Sequence, residues 1–374
     1  MRIIFDREEL LYGVTLAQRI APARYPMAVV TGLLIKTIDS NTVEIVGNDM
    51  EISLRITINA TVEEPGEAVL PARSFADFVR RLPPGEVTLS LPENEYLAKV
   101  ASHQLDADLR SMDPKEYPVI PQIDYEEVWR APQKTLKEAI NSVSFAISSD
   151  ESRPALTGML LKLSPDGCRV IAMDGFRFAE MHLPLASPVE RECIIPGKAV
   201  KDLERLLADD DEPFEAQISS NHILIKFQRL VFQSRLIEAP FPFKNASELL
   251  RKEIITSAII PRKLMIDCIE RALILTREDA KSANAIRFNI ADSEVIITSA
   301  APDVGYLVEN INIEHHGDDL IIGFNGRYLL DTLNAIKDDL VHFKFTSALT
   351  AALIKPNQVD TFLTILSPIR LNNV

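Results

Sequence analysis

GLLIKTIDSNTVEIVGND, residues 32–49, decides the fold because its plan occurs three times. GMLLKLSPDGCRVIAMDG (158–175) and AIRFNIADSEVIITSAAP (285–302) each repeat an apolar run, a turn rich in Asp, Ser, Pro or Gly, and a second β-branched run, at offsets of 126 and 127 residues. A second landmark keeps the same spacing. AVLPARSFADFVRRL (68–82), CIIPGKAVKDLERLL (193–207) and LIIGFNGRYLLDTLNAI (320–336) each read as a short strand feeding an amphipathic helix. A third is the helix that opens each unit: DREELLYGVTLAQR (6–19), PQKTLKEAINSV (132–143) and PRKLMIDCIERALIL (261–275). The expectation is an α+β chain of three repeated domains, 1–125, 126–253 and 254–374, each with two helices and many strands. The joins fall beside the proline-punctuated stretches MDPKEYPVIPQIDYEE (112–127) and APFPFKNASELLRKE (239–253).

Composition narrows the function. With 374 residues, 47% of them hydrophobic, the chain can bury two or three cores. No apolar run approaches the ~18 residues of a membrane span, and MRIIFDREELL lacks the long apolar stretch of a signal peptide, so a cytoplasmic protein is expected. Cys168, Cys193 and Cys268 are far apart, which fits core thiols better than a disulfide framework or a zinc site.

The usual signatures of chemistry are missing. Thirteen glycines form no G-x-G-x-x-G, PGKAV (196–200) lacks the rest of a phosphate loop, and neither G-x-S-x-G nor H-E-x-x-H occurs. His315 and His316 are adjacent, so on either a strand or a helix they diverge; DDDE (209–212) precedes Pro213 and reads as a solvated turn. No catalytic residues, metal or cofactor are expected.

Charge is distributed unevenly. The six helical segments sum to +5, leaving −19 on the remainder of a chain whose total is −14. In the helix after Pro71, Phe75, Phe78, Val79 and Leu82 make the apolar stripe while Arg73 and Arg80 point away. After Pro196 the stripe is Val200, Leu203 and Leu207, with Lys198, Lys201 and Arg205 opposite. Leu136, Ile140 and Val143 leave Lys134 and Lys137 outside. Basic residues solvating exposed helix faces would look like this. So would a basic track on an acidic body, which would touch a phosphate backbone without reading bases.

MDGFRFAE (173–180), IIPGKAV (194–200), IGFNGRYLLDTLNAIK (322–337) and the terminal SPIRL (367–371) resemble the bacterial DNA polymerase III beta subunit family, the sliding clamps, over essentially the whole chain. The resemblance implies three DNA-clamp domains per chain, with helices on curved antiparallel sheets, and a head-to-tail homodimer closing a six-domain ring around duplex DNA without sequence specificity. It implies an accessory subunit of a polymerase holoenzyme that tethers the polymerase, not an enzyme. Partners would be the polymerase, the clamp loader and repair proteins, each entering by a short peptide motif.

The cleft for those peptides would use Leu156, Met173, Gly175, Phe176, Arg177 and Phe178 on one side. Asn325, Tyr328, Leu349, Ile365, Leu366, Ser367, Pro368, Ile369, Arg370 and Leu371 would form the other, with Pro242 at its edge. Phe176 stands where the family usually has histidine. Ring closure would use Ala107 and Leu109 against Ile274 and Leu275. Alanine where phenylalanine is common removes up to ~3 kcal/mol of burial, which predicts looser closure or compensation by nearby charge. Arg24 matches a DNA-contacting position in the loop after the first helix. The alternative is a monomeric three-domain peptide-binding scaffold that does not encircle DNA.

Overall fold

The computed structural model describes residues 1–92, 95–121, 128–188, 190–242, 253–276, 284–301 and 304–371. The expected join near 125, the segment 243–250 and the last three residues lie outside the described residues.

Six helices stand among the described residues: α1 (Arg7–Gln18), α2 (Ala72–Arg81), α3 (Gln133–Val143), α4 (Gly197–Leu206), α5 (Arg262–Ile274) and α6 (Gly326–Ala335), two per repeat. Each follows directly on a strand. At four of these transitions the last strand residue is a proline, Pro71, Pro132, Pro196 or Pro261. Proline gives no N–H to a ladder and holds φ near −65°, so it ends the strand in a conformation that leads into a helix. Asp6 and Asn325 occupy the other two and cap by side chain: Asp6 Oδ1 accepts from the amides of Glu8 and Glu9, Asn325 Oδ1 from those of Arg327 and Tyr328.

All strand pairings are antiparallel, and the described residues fall into two compact units, 1–134 with 201–236 and 135–200 with 237–374. In the first unit a five-stranded sheet runs in the order Thr61–Glu64, Arg2–Asp6, Glu86–Ser90, Leu97–Ser102, Leu105–Arg110. An eight-stranded sheet joins repeats, because Ile52–Asn59 of the first pairs with Leu230–Arg235 of the second. In the second unit a nine-stranded sheet is continuous through the pairing of Arg177–Leu183 with Phe362–Leu366. A four-stranded sheet there ends on the edge strand Gly305–Asn312. The sequence repeats every ~125 residues, whereas the sheets cross from one repeat into the next.

One crossing recurs in all three repeats. The chain leaving each repeat returns to the strand that feeds its second helix: Met112 N donates to Val69 O, Ile237 N to Ile194 O and Ile369 N to Gly323 O, each at 2.9 Å. Cores lie under the helices. Leu10, Val14 and Ala17 of α1 and Phe75 and Val79 of α2 are buried, as are Met265, Cys268 and Ile269 of α5 and Leu329 and Leu333 of α6. Each such large side chain contributes roughly 1.5–3 kcal/mol. All three cysteines are free and buried, and burial pushes Cys193 and Cys268 up to about 12, so these thiols stay protonated at neutral pH.

Candidate functional site

Met173 ends the strand Cys168–Met173 and Arg177 begins the next, and the turn between them is fastened by Asp174. Its Oδ1 accepts from the amides of Phe176 and Arg177, both at 2.8 Å, and its Oδ2 from Arg177 Nε at 2.9 Å. Gly175 takes φ +96°, a left-handed conformation that costs glycine nothing. The turn leaves Phe176 57% exposed.

Arg177 is caged. Its side chain is 10% exposed; Nη1 reaches Asp331 Oδ2 at 2.7 Å, and the guanidinium lies 4.2 Å from the Tyr328 ring centroid and 5.6 Å from that of Phe145. Phe176 stands 6.1 Å from Tyr328. This is a cation with aromatic walls, held by two carboxylates of which Asp331 is half exposed. An incoming carbonyl or carboxylate can take over the outer guanidinium edge in place of Asp331.

The C-terminal segment is tied to the same place. Ser367 N donates to Phe176 O at 2.9 Å, and Ile369 bridges Gly323. A Cβ on Gly323 would come within 2.6 Å of Leu371 Cδ2 and 3.1 Å of Ile369 O, so the tail passes close against this strand. Residues 367–371 are therefore part of the second unit's packing.

The structure sorts the expected cleft residues by depth. Leu156, Phe178 and Ile365 belong to a buried cluster with Leu160, Ile171, Ile194 and Phe241, against which Met173 packs half-buried; Leu366 is wholly buried. These form the floor. Arg177, Asn325, Tyr328, Ser367, Pro368, Ile369 and Leu371 are half-buried, and Gly175, Phe176, Pro242, Leu349 and Arg370 are exposed. Asn325 is committed to capping α6 and so positions Tyr328. Sequence reasoning missed Asp174, Asp331, Phe145 and Phe241. Asp174 lay inside the quoted MDGFRFAE, where an Asp before a glycine turn is a signal, and Asp331 inside IGFNGRYLLDTLNAIK; what had no signal is that Asp331 meets Arg177, 154 residues away.

The basic residues are displayed as the helix periodicity predicts. Arg24 is exposed beyond α1, and Arg73, Arg80, Lys134, Lys198, Lys201 and Arg205 are exposed on α2, α3 and α4, with Lys137 half-buried. Arg80 pairs with Asp77 at 2.8 Å, an exposed pair weak enough for a phosphate to displace. The DDDE turn has a structural role: the Asp210 and Glu212 carbonyls accept from the Lys134 and Gln133 amides at the start of α3.

Ala107 and Leu109 are half-buried on Leu105–Arg110, the edge of the five-stranded sheet. Ile274 is 74% exposed at the end of α5, next to half-buried Leu275. The edge strand of the four-stranded sheet, Gly305–Asn312, shows Tyr306 and Val308 to solvent, and its Glu309 pairs with Arg271 of α5. Tyr306 and Val308 were not singled out from sequence, although their alternation along GYLVENIN is legible.

Three family models cover the chain: the DNA polymerase III beta subunit N-terminal domain over 1–121, central domain over 130–243 and C-terminal domain over 247–370. A beta sliding clamp of Halalkalibacterium halodurans is 29% identical over 383 residues, covering 99% of this chain and all of that one. One from Staphylococcus aureus is 31% identical over 93% of each. Among solved structures, the DNA polymerase sliding clamp from Bacillus subtilis superposes with a TM-score of 0.93 at 27% identity over the full length of both chains. A Pseudomonas aeruginosa sliding clamp bound to griselimycin gives 0.92 at 25%, covering 99% of this chain and all of that one.

Proposed function

The chain belongs to the DNA polymerase III beta subunit family and is a sliding clamp, a processivity factor of DNA replication; from that premise we propose that it works as a homodimeric ring whose Arg177 cleft receives its partners. Two copies join head to tail, the open edge Leu105–Arg110 of one pairing with the open edge Gly305–Asn312 of the other. Ile274, Leu275, Tyr306 and Val308 cover Ala107 and Leu109. An unpaired edge flanked by exposed apolar side chains supports this reading, because such an edge is otherwise a liability in solution.

DNA passes through the ring and meets Arg24, Arg73, Arg80, Lys134, Lys137, Lys198, Lys201 and Arg205 through phosphates. Long-stemmed cations exchanging counterions, with water between, allow movement along the duplex. Polymerase, clamp loader and repair proteins dock by short peptides in the cleft around Arg177, Tyr328 and the tail. The protein acts in the cytoplasm and catalyses nothing itself.

The observation that carries the cleft is the caged Arg177, paired with a half-exposed Asp331, above an apolar floor. Apolar pockets with one or two orienting polar groups are how short peptides are held. Light scattering over a dilution series, followed by retention on nicked circular DNA, tests the ring. A mass near twice 41.8 kDa and loss of retention on linearisation are expected; a persistent monomer overturns it. A polymerase tail peptide binding equally well after Arg177→Ala overturns the cleft.

A further inference from the structure

The turn that carries Arg177 recurs, without its cation, at the junction between the first and second repeats. Asp49 Oδ1 accepts from the amides of Glu51 and Ile52, as Asp174 does from Phe176 and Arg177, and Met50 takes the left-handed position at φ +78° where Gly175 sits at +96°. Arg235 N donates to Glu51 O at 2.9 Å, the counterpart of Ser367 N to Phe176 O. Beneath lies a buried cluster of Val29, Val30, Val46, Val69 and Tyr117, as Leu156, Ile171, Ile194 and Phe241 lie beneath the second junction. Ser53 opposite Gln233 replaces Phe178 opposite Ile365; Gln233 Nε2 donates to Pro121 O at 3.4 Å and its Oε1 is closed off from solvent. Ile52 stands in the place of Arg177, so the turn forms without a guanidinium and Arg177 is an addition to it.

The five N–H donors of that guanidinium are unequally used. Nε goes to Asp174 at 2.9 Å and Nη1 to Asp331 at 2.7 Å, whereas Nη2 meets no acceptor among the described residues and is not closed off from solvent. The two carboxylates differ in freedom. Asp174 holds the turn by three hydrogen bonds with its side chain 10% exposed, while Asp331, on α6, is 50% exposed and makes no second hydrogen bond among the described residues.

Charge at Nη2 follows from these neighbours. One cation faces two fixed carboxylates, and Arg153, whose Nη1 would lie 3.0 Å from a Cβ on Gly175, is itself cancelled by Asp150 at 3.3 Å. A ligand carboxylate on Nη2 would have its attraction to Arg177 offset by Asp174 and Asp331 and would still lose its water. An uncharged oxygen would satisfy the spare donor without that opposition. We propose that Asp331 is the specificity-determining residue of the cleft: it stays on Nη1 while an uncharged acceptor of the partner peptide, a main-chain carbonyl or a carboxamide, binds Nη2, and it turns away a carboxylate at that point. This deepens the peptide reading of the cleft and rests on it.

The full chain, ¹³C-labelled at methionine methyls, is titrated with blocked hexapeptides of leucine and serine in which one position, walked along the peptide, is Gln or its isostere Glu. Met173, packed against the cleft floor, reports binding there. At one position the Gln peptide should bind about tenfold more tightly than the Glu peptide. Asp331→Asn, which keeps an oxygen for Nη1 at an exposed site, should abolish or invert that preference, and Asp331→Ala should do the same. A merely structural Asp331 would weaken both peptides alike and leave their ratio unchanged.

Binding at Met173 with no Gln preference at any position, or with a preference that both Asp331 substitutions leave intact, overturns the proposal and keeps the cleft. No response of Met173 to any peptide overturns the peptide reading and this proposal together.

Discussion

At the first junction Ser53 faces Gln233 across paired strands; at the second, in the same register, Phe178 faces Ile365. Around these pairs the two junctions agree in backbone hydrogen bonds, in the Asp-fastened turn and in the buried cluster below. Repetition therefore conserves main-chain geometry, which any side chain of suitable shape can decorate, while one cross-strand pair decides whether the hollow above is apolar or polar. The second junction also carries a caged cation where the first has Ile52, so the two present different chemistry on one scaffold.

The comparison breaks most severely if the pairs are exchanged. Phe178→Ser with Ile365→Gln should destabilise the chain by about 4 kcal/mol, since it removes two packed side chains and buries polar groups without partners. Equilibrium urea unfolding measures it. Gln233→Leu should change stability by less than about 1 kcal/mol, because the lost Pro121 contact is offset by removal of an orphaned acceptor.

Next in size is Arg177→Ala. It leaves Asp174 and Asp331 without their shared cation and should cost about 2 kcal/mol, together with more than tenfold in affinity for a partner's tail peptide. Calorimetric titration alongside urea unfolding separates the two effects.

The turn position tests the scaffold itself with effects of opposite sign. Gly175→Ala should destabilise by about 1 kcal/mol, whereas Met50→Gly should be neutral or stabilising by a few tenths, because only Met50 carries a side chain into the left-handed region. Thermal melts of the pair suffice.

The smallest effect is in pH. His182, His222 and His342 are all held below the ordinary 6.5, in each case first by burial. The unfolded chain therefore binds protons before the folded one. Stability is complete above about pH 6.5 and declines as pH falls below it through the folded values. Tm should drop between about pH 7.5 and 5.5, and His222→Gln should reduce that drop through the first junction, there being no corresponding histidine at the Arg177 cleft.

Much of this was legible in the chain. The strand–turn–strand repeat, the proline-led helices and the exposed basic faces follow from local periodicity, where each residue's role is set by neighbours within four positions. SPIRL could be marked as a site because it is one of the motifs that carry the family resemblance. Tyr306 and Val308 escaped notice because an exposed apolar residue on an edge strand reads like any half-buried strand position until the edge is known to be open.

By itself the sequence determined the repeat, its helices and strands and the faces they bury, since these depend on short-range geometry and water. Tertiary structure alone decided which strands meet. Leu230–Arg235 chose Ile52–Asn59, and Phe362–Leu366 chose Arg177–Leu183, so that sheets run through repeat boundaries. It brought Asp331 to Arg177 and left Gln233 with an acceptor but no donor. Such contacts join residues more than a hundred positions apart, and their free energy comes from closing large loops onto buried surface, a cost and a gain that no local pattern encodes.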